Sequence, residues 1–165
     1  MGILKKIGKM IADVEKDPSV KKGERFENFV RNNLFVSAEY EMEEKTHPYE
    51  DNRAEFVKSS KNPDYRFKSK KTGKTFWVEA KFRSSYVDNA VEWCKDYQLK
   101  RYLEINRETP VFIVIGVGES ASNPENVFIV PVKHAKYTKL FISFLRKYEF
   151  NPKQPVNPHQ LWKLL

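Results

Sequence analysis

The stretch Asn62–Phe82, NPDYRFKSKKTGKTFWVEAKF, most constrains how this chain can fold. Two runs with strand-like patterning flank Thr72-Gly73, and glycine supplies the positive φ that a tight hairpin turn requires. The pattern predicts a β-hairpin with a two-residue loop at Thr72-Gly73. In that register Tyr65 lies opposite Ala80, and Asp64 lies opposite Lys81.

The predicted hairpin separates apolar from charged side chains. Glu79 and Lys81 share the polar face of the second strand, about 6.6 Å apart, and Asp64 joins them from the first strand. Glu79 is then a diagonal neighbour of Asp64, with Cα atoms about 7–8 Å apart, and two carboxylates at that spacing can meet at one cation. The alternative is a solvated strand face on which Lys81 and Asp64 form a cross-strand ion pair, worth about 0.2–1 kcal/mol.

The sequence Pro-Asp…Glu-Ala-Lys, with its charged members at Asp64, Glu79 and Lys81, resembles the signature of the PD-(D/E)xK nuclease superfamily. Glu27, in Gly-Glu-Arg-Phe-Glu, resembles the glutamate of that family's first helix. The stretch Gln98–Tyr102 resembles its Q-x-x-x-Y element, whose spacing would place both ends on one helix face. The resemblance spans about residues 23–132 and implies an α/β fold with a restriction-endonuclease-like core, in which helices flank a mixed central β-sheet.

The resemblance also implies a metal site. Asp64 and Glu79 would bind Mg²⁺ directly, with the main-chain carbonyl of Ala80 contributing, and Mn²⁺ would substitute because all the ligands are oxygens. Lys81 would orient or help to deprotonate the attacking water, with a depressed pKa if the site is partly desolvated. Glu27 would hold a water on the metal or a second ion.

Several residues are predicted to contact DNA or to position it. Gln98 would position the phosphate or Lys81. A run of lysines at the hairpin tip would clamp backbone phosphates, although such a run is also typical of a solvated turn that discourages edge pairing. Tyr102 could equally be a packing residue. The predicted nucleic-acid-binding residues are Lys68, Lys70, Lys71, Lys74, Arg83 and Tyr102.

Composition favours an anionic partner. The formal net charge is +8 and the pI is about 9.4, so the surface attracts phosphate. A length of 165 residues predicts a single domain. Cys94 is the only cysteine, and the histidines show no ligand spacing, so neither a disulfide nor a zinc site is expected. The sequence shows neither a signal-peptide pattern nor an apolar run long enough for a membrane span, and we expect a cytoplasmic protein.

The patterning predicts the element order α-α-β-β-β-α-β-β-α. Residues 1–17 form a basic amphipathic helix, whose apolar stripe is expected to pack on the domain or on a second subunit rather than on a membrane or DNA. Asp17-Pro18 is predicted to cap a second helix that ends near Asn33. A crossover between parallel strands is expected after the hairpin. The remaining predictions are a strand at Phe35–Glu44, a polar excursion at His47–Lys61, a helix at Asn89–Glu108, strands at Val111–Val117 and Val127–Val132, a helix at Leu140–Tyr148 and a tail at 151–165.

Two functions follow as expectations. The first is a metal-dependent DNA endonuclease, either structure-selective and similar in plan to Holliday-junction resolvases, or of the repair or restriction type. Paired cuts in both strands would imply a homodimer. The alternative is a nucleic-acid-binding module that keeps the fold without turnover, which the paired acids argue against because a binder gains nothing from acids that face phosphate.

Overall fold

The computed structural model describes residues 17–46 and 61–165 and has an α/β architecture around a mixed six-stranded sheet. The strand order in that sheet is β1-β2-β3-β5-β6-β8, and β4 pairs with β7 in a separate small sheet. The predicted N-terminal helix and nearly all of the polar excursion lie outside the described residues. The elements are α1 (Pro18–Phe29), β1 (Tyr40–Lys45), β2 (Tyr65–Ser69), β3 (Thr75–Arg83), β4 (Ala90–Glu92), α2 (Asp96–Ile105), β5 (Val111–Val117), β6 (Asn126–Pro131), β7 (Lys139–Phe141), α3 (Ile142–Leu145), β8 (Glu149–Phe150) and α4 (Pro158–Trp162).

The β2–β3 hairpin exists, but the predicted register is wrong. Tyr65 pairs with Val78 rather than with Ala80. The cause is the loop, which spans residues 70–74 instead of two residues and is closed by a bond from the Ser69 N–H to the Lys74 carbonyl. Gly73 does adopt the expected positive φ, at 71°. Because side chains alternate with a period of two, a two-residue shift leaves every residue of the hairpin on its predicted face.

The crossover prediction is confirmed. Strands β3 and β5 pair in parallel, with Glu79 beside Ile113, and α2 lies in the connection between them. Every residue of β5 is buried, as its continuous apolar sequence predicts for a central strand covered on both faces. Strand β3 therefore lies in the interior of the sheet, which fixes the position of its charged residues.

Two predicted helices are shorter than their sequence patterns indicate. The predicted helix from Asn89 instead begins with strand β4, and α2 starts only at Asp96. Likewise Leu140 belongs to strand β7, and α3 starts at Ile142. Val91 and Leu140 face each other in the β4–β7 pair. Each of these apolar segments therefore forms a strand with the other instead of extending its helix. Val91 and Cys94 consequently precede the helix that was predicted to carry them.

Other boundaries shift near the ends of elements. The Asp17 cap is confirmed, since its carboxylate accepts the Ser19 N–H at 2.7 Å. After α1 the chain continues through a π-helical turn at Val30–Leu34 and a turn at residues 37–39, so β1 begins at Tyr40 rather than at Phe35. Strand β8 was not predicted.

The two faces of the sheet carry two separate apolar layers. On the first face, α1 and α4 cover a cluster dominated by aromatic rings, with Phe76 touching the rings of five other residues: Phe35, Tyr40, Phe67, Phe112 and Trp162. On the second face, α2 covers a cluster that includes Trp77, Trp93 and Tyr102. Glu79 and Lys81 alternate with the first set along β3, and so they face the second layer.

Candidate active site

Asp64 and Glu79 face each other where the β2–β3 hairpin opens. Continuing the β2–β3 register by one residue places Asp64, just before β2, opposite Glu79. The Asp64 N–H donates to Glu79 Oε2 at 3.2 Å, and the Ala80 N–H donates to Asp64 Oδ2 at 2.8 Å. The two acids are thus directly opposed rather than diagonal across the strand pair.

Lys81 joins the same group. Its Nζ lies 2.8 Å from Glu79 Oε1, while Glu79 is only 4% exposed. Burial lowers the pKa of Lys81, but the charge and hydrogen bond of Glu79 outweigh burial, and the net pKa is raised. The depressed lysine pKa expected from the sequence is therefore not found, because the nearby carboxylates stabilise the ammonium.

Glu27 reaches this group from α1. Burial, followed by the charge of Glu79, raises the pKa of Glu27 to about 6. Burial also raises the pKa of Asp64 well above its usual value, and the charges of Glu79 and Glu27 add to this effect. Three carboxylates thus influence one another beside the partly buried ammonium of Lys81. This excess of negative charge at low exposure favours cation binding.

A cleft of about 470 Å³ opens above these residues. Glu27, Asp64, Ala80 and Lys81 line it, between the first turns of α1 and the C-terminal half of β3. Further lining residues that the sequence did not single out are Ser19, Lys22 and Ser84. Lys22 Nζ donates to Ser84 Oγ at 3.0 Å across a separation of 62 residues, so no local spacing could have revealed this contact.

A second cavity, of about 320 Å³, also borders Lys81. Gln98 lines it together with Trp93, Cys94 and Lys95, so the fold brings Gln98 toward Lys81 as predicted. The side-chain amide oxygen of Gln98 accepts the Lys95 main-chain N–H at 3.0 Å and caps α2. One of its two polar atoms therefore already has a structural partner.

Arg83 and Tyr102 have structural partners that the sequence did not predict. The Arg83 guanidinium donates to the carbonyls of Phe82, Glu92 and Trp93, which ties the end of β3 to the segment before α2. Tyr102 is 4% exposed and stacks on Trp93, with ring centroids 6.3 Å apart. Burial raises the pKa of the Tyr102 hydroxyl, with Glu79 contributing by charge and hydrogen bond. Tyr102 therefore supports Glu79 from the core, and the DNA contact predicted for it does not fit this burial.

The lysines of the hairpin tip are not brought to the carboxylates. Asp64 precedes β2 whereas Lys70, Lys71 and Lys74 lie beyond its far end, about 20 Å away at the rise of an extended strand. Lys70 Nζ donates to the Ser37 carbonyl at 2.6 Å, and Lys74 Nζ lies 4.7 Å from the ring centroid of Trp162. Lys68, within β2, is partly exposed.

The residues at the cleft fit a hard divalent cation by their chemistry. The candidate donors are the carboxylates of Asp64 and Glu79 and the carbonyl of Ala80, all of them oxygens. Each carboxylate oxygen keeps acceptor capacity beyond the hydrogen bonds described above. Within residues 17–46 and 61–165, however, no three His, Cys, Asp or Glu side chains are grouped as metal ligands. The acidic part of the donor set is therefore a pair, with Glu27 farther out.

Comparisons with known proteins add no family assignment. No protein-family model and no curated protein matches this sequence. None of the helices in the described part of the chain has the length and apolar character that a bilayer crossing requires.

Proposed function

We propose that the protein is a metal-dependent endonuclease that hydrolyses phosphodiester bonds in DNA. The observation that carries this proposal is the convergence of Asp64, Glu79 and Lys81 on one face of a central hairpin, where Asp64 and Lys81 line a cleft. Burying charge costs free energy on folding, so the buried Glu79 carboxylate, in contact with Asp64 and Lys81, is a candidate for chemistry rather than for stability. The order helix, three antiparallel strands, helix and parallel strand supports the finer proposal of a restriction-endonuclease-like core.

Asp64 and Glu79, with the Ala80 carbonyl, would hold Mg²⁺ or Mn²⁺. When bound there, the cation would neutralise charge on the phosphate and make a water more acidic. The Ala80 N–H and the Asp64 N–H fix the two carboxylates in place, so little reorganisation is needed.

Lys81 and Glu27 act on either side of that pair. The Lys81 ammonium, held by Glu79, supplies a fixed positive charge where negative charge develops on the phosphate, and its N–H groups orient the attacking water. Glu27 borders the cleft and would accept a hydrogen bond from water there. The net positive charge of the chain favours binding of the polyanionic substrate.

One observation favours the second candidate, a nucleic-acid-binding module without turnover. Both oxygens of Glu79 already have protein partners, Lys81 Nζ and the Asp64 N–H. These contacts give Glu79 a role in holding Lys81 and the start of β2 that does not itself require a metal.

A cleavage panel separates the two functions. Branched, nicked and linear DNA duplexes are incubated with the protein in Mg²⁺ or in EDTA, and the products are resolved on gels. We expect cleavage that requires Mg²⁺ and is lost in Asp64→Asn and Glu79→Gln, with DNA binding kept or strengthened because each change removes a negative charge. Glu104→Gln, at an exposed glutamate of α2, is the matched control and should cut normally. Binding without metal-dependent cleavage of any substrate would favour the binding module.

A further inference from the structure

The segment from Lys133 to Tyr148 is strongly basic and exposes aromatic rings. It contains no acidic residue, and its cationic side chains belong to Lys133, Lys136, Lys139, Arg146 and Lys147. Tyr137 is 72% exposed and Phe141 is 54% exposed, far more than is usual for such large rings. Lys139 Nζ lies 5.9 Å from the ring centroid of Phe141.

This segment is attached to the wall of the second cavity beside Lys81. Trp93 Nε1 donates to the Tyr137 carbonyl at 3.0 Å, and the Trp93 N–H donates to the Thr138 carbonyl at 2.9 Å. Trp93 and Lys81 line the same cavity. The segment is therefore tied through Trp93 to the cavity that Lys81 borders.

Tyr97, at the start of α2, is a further exposed ring beside a cation. It is 64% exposed, and the Arg101 guanidinium lies 5.6 Å from its ring centroid. Of the nearby acids, Glu92 is paired with Lys95 at 3.6 Å, while Asp96 lies in the first turn of α2. We call Tyr137 and Phe141, with Lys136 and Lys139, the aromatic surface.

Exposed rings next to ammonium and guanidinium groups match one polyanion in particular. The cations suit backbone phosphates, and the rings offer stacking faces for bases. In duplex DNA the base faces are already stacked on one another, so only unpaired nucleotides can use such rings. The positive charge therefore favours a nucleic acid as the ligand, and the exposed rings favour single-stranded over duplex nucleic acid.

We propose that the aromatic surface binds unpaired nucleotides of the DNA substrate next to the cleavage site. The preferred substrates are then duplexes that carry a single-stranded tail, gap or flap. That the bound nucleotides lie next to a cleavage site rests on the proposed nuclease function. The binding of single strands does not depend on that function.

The test measures binding without metal. Fluorescence anisotropy of labelled oligothymidylate and of a blunt duplex is recorded in EDTA for the wild type, Tyr137→Ala, Phe141→Ala and Tyr137→Phe. We expect each alanine variant to weaken binding of the single strand by about 5- to 100-fold, with about twofold or less for the duplex. Tyr137→Phe keeps the ring and should bind as the wild type does. Met42→Ala, at an exposed residue of β1, is the control for loss of apolar surface elsewhere.

Several results would overturn the proposal. Unchanged single-strand binding in both alanine variants contradicts it, as does equal weakening for single strand and duplex. A changed sedimentation coefficient with intact DNA binding would assign the surface to protein contacts. Circular dichroism shows whether each variant is folded. If Tyr137→Ala is unfolded, the single-strand binding of Phe141→Ala tests the proposal.

The nuclease proposal fails independently of this one. Asp64→Asn probes cleavage and leaves the aromatic surface intact, so loss of cutting with normal oligothymidylate binding supports both proposals. Single-strand binding that depends on Tyr137, in a protein that cuts nothing, supports the aromatic surface alone.

Discussion

The two faces of the β2–β3 hairpin are made from alternate residues of the same strands, yet they differ in what they contribute. One face presents Tyr65, Phe67, Phe76 and Val78, all fully buried in an aromatic layer. The other face presents Glu79 and Lys81, with Asp64 at its edge, in a partly buried charged group. Burial of the first face stabilises the fold, whereas burial of charge on the second costs free energy. The comparison indicates that the aromatic face maintains the hairpin so that the charged face can be held in place.

The largest expected effect comes from removing the ammonium that is paired with Glu79 on the charged face. Lys81→Met should lower the cleavage rate by at least about 100-fold, because a preorganised positive charge at the phosphate is lost. Mn²⁺ binding should persist, since the candidate carboxylate ligands remain. Single-turnover cleavage and Mn²⁺ titration measure the two effects, with Lys100→Met on the exposed face of α2 as the matched control. A normal cleavage rate in Lys81→Met would contradict a catalytic role for Lys81 on this face.

The aromatic face should show the reverse behaviour. Phe76→Ala removes a ring that touches five other rings and should lower the free energy of unfolding by about 3–5 kcal/mol. Urea denaturation measures the change, and Met42→Ala on β1 should stay within about 0.5 kcal/mol of the wild type. The folded fraction of Phe76→Ala should still cut DNA. A loss of cleavage that exceeds the loss of folded protein would show that the two faces are not separable.

Substitution of Gly116 tests how tightly α1 packs against the aromatic face of the sheet. A Cβ at this position in β5 would lie 2.2 Å from the Cε2 atom of Phe26, whose ring is fully buried. Gly116→Ala should therefore destabilise the protein by about 1–3 kcal/mol. Adding Phe26→Leu should recover part of the loss, since the smaller side chain vacates that space, and a double-mutant cycle by denaturation measures the coupling. Strictly additive effects would contradict this close contact.

The smallest effect is expected at the hairpin tip. Lys71→Ala should reduce the slope of log K against log salt for duplex binding by about 0.9, if this lysine contacts one phosphate as its sequence context predicts. Cleavage at saturating DNA should not change, because the tip lies about 20 Å along the strand from Asp64. Anisotropy at several salt concentrations gives the slope. An unchanged slope removes Lys71 from the predicted DNA contacts.

The sequence predicted which residues share a face better than it predicted how strands pair. Alternation in Asn62–Phe82 depends only on the period of a strand, so Asp64, Glu79 and Lys81 fall on one side in either register. The register depends on the loop, and a glycine with positive φ is compatible with more than one loop length.

Contacts between distant segments could not be predicted in the same way. Val91 and Leu140 pair across the small sheet, and Lys22 meets Ser84 at the cleft, although nothing local in the sequence links either pair. The sequence patterning made no prediction for residues 133–139, which include Tyr137, because exposure of its ring becomes visible only once the neighbouring strands are placed. The lysines of the hairpin tip are close to the acids in sequence but not in space, and the DNA contacts predicted for them stay a prediction.

The central claim is that Asp64 and Glu79 bind a divalent metal together. Titration of the protein with Mn²⁺, followed by the electron paramagnetic resonance signal of the free ion, tests it most directly. We expect the wild type to remove Mn²⁺ from solution at one strong site that both Asp64→Asn and Glu79→Gln abolish and Glu104→Gln retains. Equal Mn²⁺ binding by the wild type and these two variants would contradict the claim.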